Sequence, residues 1–317
     1  MRSVPVRSVN RHPTAQQHFS PAPRVPAVLD LSRTGPDTFL GPQVSMGMSR
    51  VFGGQVLAQG LMAAGRTVTD AKTAHSLHAY FLRAGDPAEP IHYRVERVRD
   101  GRRLSSRQVT AEQHGRPIAT MTTSFAATGG GVCHQLHPPR SMSPEQVPTL
   151  EQAAVRWGGL GPAWRGFEAL EIRIDPLTVD PPVSSRRIGA EQTTDRVWQR
   201  VPFPLPPDQL LHQALLVYAS DVTILAAALV PHGVSVGCEQ IVGGQAWDGV
   251  SVDHAVWFHG PVRADEWMLF EQLSPAAQDG RAFTRAQVFA PDGSMVASVA
   301  QEGLILDAPE GVGRAAP

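Results

Sequence analysis

The sequence predicts an α+β chain made of two tandem copies of one unit, each an antiparallel sheet wrapped around a central helix. Three observations point to this. Two apolar helical stretches lie far apart in the chain. Each is followed by strand-like segments separated by short turn signals. The order of elements is the same in both halves, which is how a duplication reads when identity between the copies has faded.

Residues 1–27 are expected to be a disordered tail. The first 29 residues carry Arg2, Arg7, Arg11 and Arg24 and no acid, the composition of an organelle transit peptide. Pro5, Pro13, Pro21, Pro23 and Pro26 oppose the amphipathic helix such a peptide needs. No apolar run of a secretory signal is present.

The first unit is placed at residues 28–130. Phe39 to Phe52 mixes Gly, Pro and Ser and reads as strand and turn. Gly53-Gly54 opens a helix over Gln55–Thr67, with Val56, Leu57, Leu61 and Ala64 on one side. Strands are expected over His75–Arg83, Ile91–Arg99, Leu104–Gln113 and Pro117–Ala126. Asp100-Gly101 and His114-Gly115 supply turns.

Gly129-Gly130-Gly131, several prolines and weak periodicity mark a linker, residues 131–160. The second unit is placed at 161–308, with a C-terminal tail at 309–317. Strands are expected over Phe167–Val179 and Asp195–Val201. Pro204–Pro207 then stops the chain before the strongest helix, Asp208 to about Val230, closed by Pro231-His232-Gly233. The meander follows as Ser251–His259, Trp267–Leu273, Phe283–Ala290 and Met295–Ile305, with turns at Asp279-Gly280 and Asp292-Gly293. His78-Ala79-Tyr80-Phe81 matches His254-Ala255-Val256-Trp257-Phe258 locally. Such units suggest a tandem (double) hotdog, in which two sheets join edge to edge so that no strand edge is left open between them.

Composition narrows the function. With 42% hydrophobic and 18% charged residues the chain can fill real cores. A net charge of −1 gives no global field for nucleic acid or an anionic membrane. No stretch reads as ~20 uninterrupted apolar residues, so no membrane span is expected. Cys133 and Cys238 make no disulfide framework and no Cys-x-x-Cys, which fits a reducing, cytoplasmic setting. No Walker loop, Gly-x-Gly-x-x-Gly or metal-ligand spacing appears, so no cofactor and no metal are expected.

Asp221 is the most informative residue. It lies inside the long helix with Val217, Tyr218, Ile224 and Leu225 three and four positions away. A carboxylate there is costly unless paired or functional, and desolvation raises its pKa toward that of a general base. A buried acid that caps a turn or pairs with an arginine fits the spacing equally well. Gln301 and Ser251 on strands are by themselves ordinary polar residues. Gly233-Val234-Ser235-Val236-Gly237 matches a nucleophile elbow, but a helix precedes it where that motif needs a strand. Adjacent Asp253 and His254 face opposite sides of a strand and are not expected to cooperate.

With these residues laid out, the chain resembles the acyl-CoA thioesterase II family. The matching segments are Val51–Val56, His75–Pro87, Tyr218–Asp221, Pro231–Gly233, Asp253–His259 and Gln301–Gly303, in family order across roughly residues 28–307. The resemblance implies a double hotdog that hydrolyses acyl-CoA to free fatty acid and CoA. It implies Asp221, Ser251 and Gln301 as the catalytic group: an Asp-activated water held by Ser and Gln. An apparent insertion around Gly243–Gly249 precedes Ser251. Arg83, Arg102, Arg103 and Arg281, at strand ends and turns, are candidates for the CoA phosphates. Acyl-CoA is the expected partner, further association into a homo-oligomer is left open, and the compartment is expected to be a bacterial cytoplasm. Two alternatives remain: a hotdog enoyl-CoA hydratase, which would need a well-placed His, and a non-catalytic acyl-CoA binder.

Overall fold

The computed structural model describes residues 25–307, apart from 45, 70, 156–158, 161, 168–169, 176–193 and 233–246. The N-terminal tail through residue 24, the C-terminal tail, Cys238, the Gly233–Gly237 motif and the part of the expected first strand beyond Asp175 lie outside the described residues.

The first unit begins with a short helix, α1 (Val25–Val28), and a small hairpin, β1 (Ser32–Gly35) and β2 (Thr38–Gly41). The central helix α2 (Gly53–Gly65) follows, then β3 (Lys72–Phe81), β4 (Ile91–Asp100), β5 (Leu104–Gln113) and β6 (Arg116–Ala127). A short helix α3 (Leu150–Ala154) lies between the units. The second unit contains β7 (Glu171–Ile174), β8 (Thr194–Arg200), the helix α4 (Gln209–Thr223), β9 (Trp247–Ser251), β10 (Asp253–Phe258), β11 (Met268–Gln278), β12 (Arg281–Phe289) and β13 (Met295–Asp307).

Among the described residues all strands belong to one sheet, in the order β1-β2-β4-β5-β6-β3-β10-β13-β12-β11-β8-β7, with β9 also on β13. The two units join through antiparallel pairing of β3 with β10, so the edge-to-edge union inferred from the duplication is what forms. The architecture is the tandem hotdog.

Alternation positions the core. Leu77, Ile91, Tyr93, Val95, Val109 and Phe125 of the first unit are buried, as are Val197, Phe270, Ala286, Val288 and Val299 of the second. Each large side chain so buried contributes about 1.5–3 kcal/mol relative to exposure. The hairpin turns obey their sequence signals. His114-Gly115 and Asp279-Gly280 each join strands by two residues, and all four have positive φ (51°, 70°, 55° and 74°). That is the type I′ geometry, whose twist matches that of the strands.

Several elements differ from the expectations: α1 begins at Val25, inside the tail expected over 1–27, and the strand expected from Phe167 is a 3₁₀ turn over Pro162–Phe167, with β7 starting at Glu171. The helix over 208–230 is α-helical only to Thr223 and continues as 3₁₀ turns over Leu225–Ala228 and Val230–His232. Its start is as expected, with Asp208 accepting from the Leu210 and Leu211 N–H groups. Its tightening has a cause: Gln272 of β11 donates to the Thr223 carbonyl, and the Ala227 N–H bonds to Ile224 instead. The helical run Gln209–Ala228 reaches the length and mean hydropathy (1.4) of a spanning helix, but 78% of its most apolar stretch is buried inside the protein. Its apolarity serves the core. The stretch read as a linker contains a 3₁₀ turn, Pro144–Gln146, and α3, whose Thr149 and Gln152 form a reciprocal capping box. Finally, the strand expected over Ser251–His259 is broken at Val252 into β9 and β10.

The β3–β10 register also corrects the local match between the halves. Pairs Asp253–Tyr80, His254–Ala79, Ala255–His78, Val256–Leu77 and Trp257–Ser76 are symmetric about Ala255–His78. The pseudo-two-fold therefore equates His254 with Leu77, both fully buried, and not with exposed His78. A one-residue slip exchanges the two faces of a strand, which is why the text match misled.

Candidate active site

The two central helices pack against each other, and the start of α2 meets the end of α4. Small residues permit the approach. A β-carbon on Gly54 would lie 2.8 Å from the Tyr218 carbonyl oxygen, and one on Gly53 would lie 2.7 Å from Asp221 Oδ2. Phe52, which precedes α2, gives the helix start no side-chain cap. Instead the Gly54 N–H bonds to the carboxylate of Asp221. An acid from the second unit thus sits at the positive end of the first unit's helix, where the macrodipole favours it.

The structure brings Asp221, Ser251 and Gln301 together. Ser251 Oγ lies 3.5 Å from Asp221 Oδ1, and Gln301 Nε2 donates to Ser251 Oγ at 2.5 Å. β9 is pinned beside β13 by pairing Ser251 with Gly303. That pairing places Ser251 despite the unusual segment before it. Gly303 has its own reason: a β-carbon there would lie 2.4 Å from Leu225 Cδ1, so glycine admits the turn that follows α4.

Sequence reasoning set His254 aside, and here the structure corrects it. Residues 251 and 254 would face opposite sides of an unbroken strand. The break at Val252 turns both toward Gln301. His254 is fully buried; its Nδ1 lies 2.7 Å from Gln301 Oε1 and 3.7 Å from Asp221 Oδ1, and its Nε2 lies 2.9 Å from Ser220 Oγ. Asp253, in contrast, points away and accepts from the Glu302 N–H.

Burial dominates the electrostatics. It pushes the Asp221 carboxyl up to about 7, against the opposing bonds from Gly54, Gln301 and Ser251. It pushes His254 down to about 4, with the Gln301 bond opposing. At neutral pH the histidine is uncharged and the carboxyl is poised between its two forms.

A cavity of about 740 Å³ opens onto Asp221 and Ser251. Its apolar walls include Phe52, Val56, Phe81, Leu225, Leu229 and Ile305. Trp164 and Phe167, from a 3₁₀ turn (Pro162–Phe167) ahead of β7, complete it, and Phe167 meets Phe52 edge to face at 4.9 Å. Of the four arginine candidates, Arg83 lines the cavity, as does Arg50, which the sequence did not single out. Arg102, Arg103 and Arg281 are exposed and do not. Among the described residues no three His, Cys, Asp or Glu side chains converge as metal ligands would.

Fold and site define a double-hotdog protein with a buried acid facing an apolar cavity. Comparison with known proteins gives it a family. A family model described as acyl-CoA thioesterase matches residues 169–304, and one described as acyl-CoA thioesterase N-terminal domain matches residues 42–126. Acyl-coenzyme A thioesterase 8 of Homo sapiens is 34% identical, with 90% of each chain covered. Acyl-CoA thioesterase 2 of Haemophilus influenzae is 33% identical over 88% of this chain and 95% of that one. The crystal structure of the acyl-CoA thioesterase II TesB2 from Mycobacterium marinum superposes with a TM-score of 0.73 at 37% identity, over 89% of this chain and 98% of that one. The chain belongs to the acyl-CoA thioesterase II family of thioester hydrolases.

Proposed function

We propose that this protein hydrolyses fatty acyl-CoA to free fatty acid and CoA, with Asp221 as general base and with Ser251 and Gln301 holding the attacking water. The observation that carries this reading is the Asp221 carboxyl, raised to about 7 by burial, at the wall of a largely apolar cavity and at the start of a helix whose own N-cap residue supplies no cap. A base working near its own pKa is at its most effective.

In this mechanism Asp221 takes a proton as water oxygen bonds to the thioester carbonyl carbon. The carbonyl π electrons move to oxygen, giving a tetrahedral oxyanion. Backbone N–H groups at the start of α2 and the positive end of its dipole stabilise that charge. The oxyanion collapses, the carbon–sulfur bond breaks, and the departing thiolate takes the proton from Asp221. No covalent intermediate is needed. The Gln301 amide has two N–H groups, one for Ser251 and one for Asp221, so it holds the water through the two groups that face the cavity. The apolar walls take the acyl chain, and Arg50 and Arg83, which line the cavity, are the cations suited to the CoA phosphates. The cytoplasmic setting expected from the sequence belongs to the same proposal.

One observation bears on the hydratase alternative. A His does stand beside the acid, contrary to expectation. Both of its ring nitrogens are taken by Gln301 and Ser220, and it is shielded from the cavity, so it supports hydrolysis over hydration. Release of free CoA thiol from acyl-CoAs of short to long chain, run beside crotonyl-CoA hydration, tests the proposal. Thiol release that Asp221→Asn abolishes is expected. An absence of release with every chain length, or hydration without release, overturns it.

A further inference from the structure

We propose that His254 is a positioning residue for this hydrolysis, holding the Gln301 amide in the one orientation that lets Ser251 donate its proton to Asp221. The inference rests on the roles given above to Asp221, Ser251 and Gln301.

A chain of hydrogen bonds runs outward from the base. An ionised carboxylate only accepts, so Ser251 must turn its single O–H toward Asp221. Ser251 Oγ must then accept from Gln301, which requires the NH₂ end of that amide to face it. The two ends of an amide have nearly the same shape, so packing does not choose between them; partners do. The opposite end, Oε1, lies 2.7 Å from His254 Nδ1 and needs a donor there. Neutral His254 supplies one only as its Nδ1–H tautomer, which leaves Nε2 bare to accept from Ser220 Oγ, 2.9 Å away; for this the single Ser220 O–H turns to the imidazole from the Val217 carbonyl oxygen, also 2.9 Å away. The chain thus runs one way, from Ser220 through His254, Gln301 and Ser251 to Asp221. The burial that holds His254 well below its ordinary pKa keeps it neutral where the enzyme works. Around the imidazole, α4 presents Ser220 and Asp221, β13 presents Gln301 and β3 presents Ala79; of these only Asp221 titrates.

Without a donor at that place the buried Oε1 has no partner. The amide is then free to turn its oxygen to Ser251, whose O–H leaves Asp221. The carboxylate loses a stabilising bond and the water loses its alignment. The fold itself provides the control, because Leu77 occupies the pseudo-equivalent place in the first unit and shows that a leucine suits this sheet position.

The test compares His254→Leu, His254→Asn and Asp221→Asn by thiol release. His254→Leu is expected to lower kcat by ~10- to 100-fold, as loss of outer hydrogen bonds that orient a catalytic group does, with KM little changed and the acidic limb of kcat/KM moved to higher pH. His254→Asn, whose Nδ2–H stands near the lost Nδ1–H, is expected to recover much of the loss. A kcat for His254→Leu within about twofold of wild type overturns the proposal, and so does an Asn variant no better than Leu. Should the leucine variant not fold, nitrogen-15 imidazole resonances of the wild-type protein at about pH 8 decide: protonated Nδ1 with bare Nε2 is expected, and the reverse tautomer overturns the inference. If Asp221→Asn is itself fully active, the base assignment has failed; if it is inactive while His254→Leu is not, only the positioning role has.

Discussion

The two central helices meet at both ends, and the two junctions have opposite character. Where α2 starts and α4 ends, Gly53 and Gly54 admit Asp221, the N-cap residue Phe52 supplies no cap, and a cavity opens. Where α4 starts and α2 ends, Asp208 caps the helix and Leu210 fills the space over Gly65, whose β-carbon would lie 2.5 Å from Leu210 Cδ2. The strands repeat the contrast. Register equates His254 with Leu77 and Gln301 with Thr123, a buried hydroxyl without a partner among the described residues. Next to Thr123, Arg107 is fully buried and donates to Thr67 and Asp100, beyond the end of α2. Duplication makes two equivalent junctions. One is packed shut for stability, and the other keeps a desolvated acid at a cost in stability that only a function explains.

The largest effect expected from breaking this contrast is on turnover. Asp221→Asn removes the base and should lower kcat by about 10²- to 10⁴-fold in a thiol-release assay. The same variant should be the more heat-stable protein under alkaline conditions. The raised carboxyl keeps its proton in the native state after the unfolded chain, with its ordinary value of 3.8, has released it. Wild-type stability therefore falls as pH rises from about 4 to about 7, and the Asn variant escapes that loss. Its Tm advantage should be present at about pH 8 and vanish toward pH 4; a constant gap would show that Asp221 is not desolvated as described.

The next effect is on the pH profile. Because the base must be ionised, wild-type kcat/KM should rise with pH and level off above about 7. Below that it should fall about tenfold per unit. A profile flat from pH 5 to 8 would remove Asp221 from the mechanism.

Smaller effects separate the junctions sterically. A β-carbon in Gly54→Ala would meet the Phe52 ring at 2.6 Å and a backbone oxygen at 2.8 Å, so the helices must part. Chemical denaturation should show a loss of about 1–3 kcal/mol, with activity falling as the Gly54 N–H leaves Asp221. Gly65→Ala meets only the end of the flexible Leu210 side chain. Its helix-propensity gain of about 0.5–1 kcal/mol offsets much of that contact. Stability should stay within ~1 kcal/mol of wild type and activity should be unchanged. Equal losses in the two variants would erase the distinction between the junctions.

The sequence by itself determined the local elements and their repetition. Apolar periodicity marked both helices, Asp208 after a run of prolines marked the start of α4, and His114-Gly115 and Asp279-Gly280 marked tight hairpins, because each signal acts over a few residues. It also exposed Asp221 as an acid with no local route to water. It could not choose between a structural and a catalytic role for that acid, and the family resemblance supplied Ser251 and Gln301. Only the tertiary structure decided that Gly54 of one unit bonds to Asp221 of the other, that a break at Val252 turns His254 toward Gln301, and that Trp164 and Phe167 wall the cavity. Those facts depend on strand register and on the approach of residues far apart in the chain. A one-residue change of register reverses which face a side chain occupies, and no local pattern records that choice.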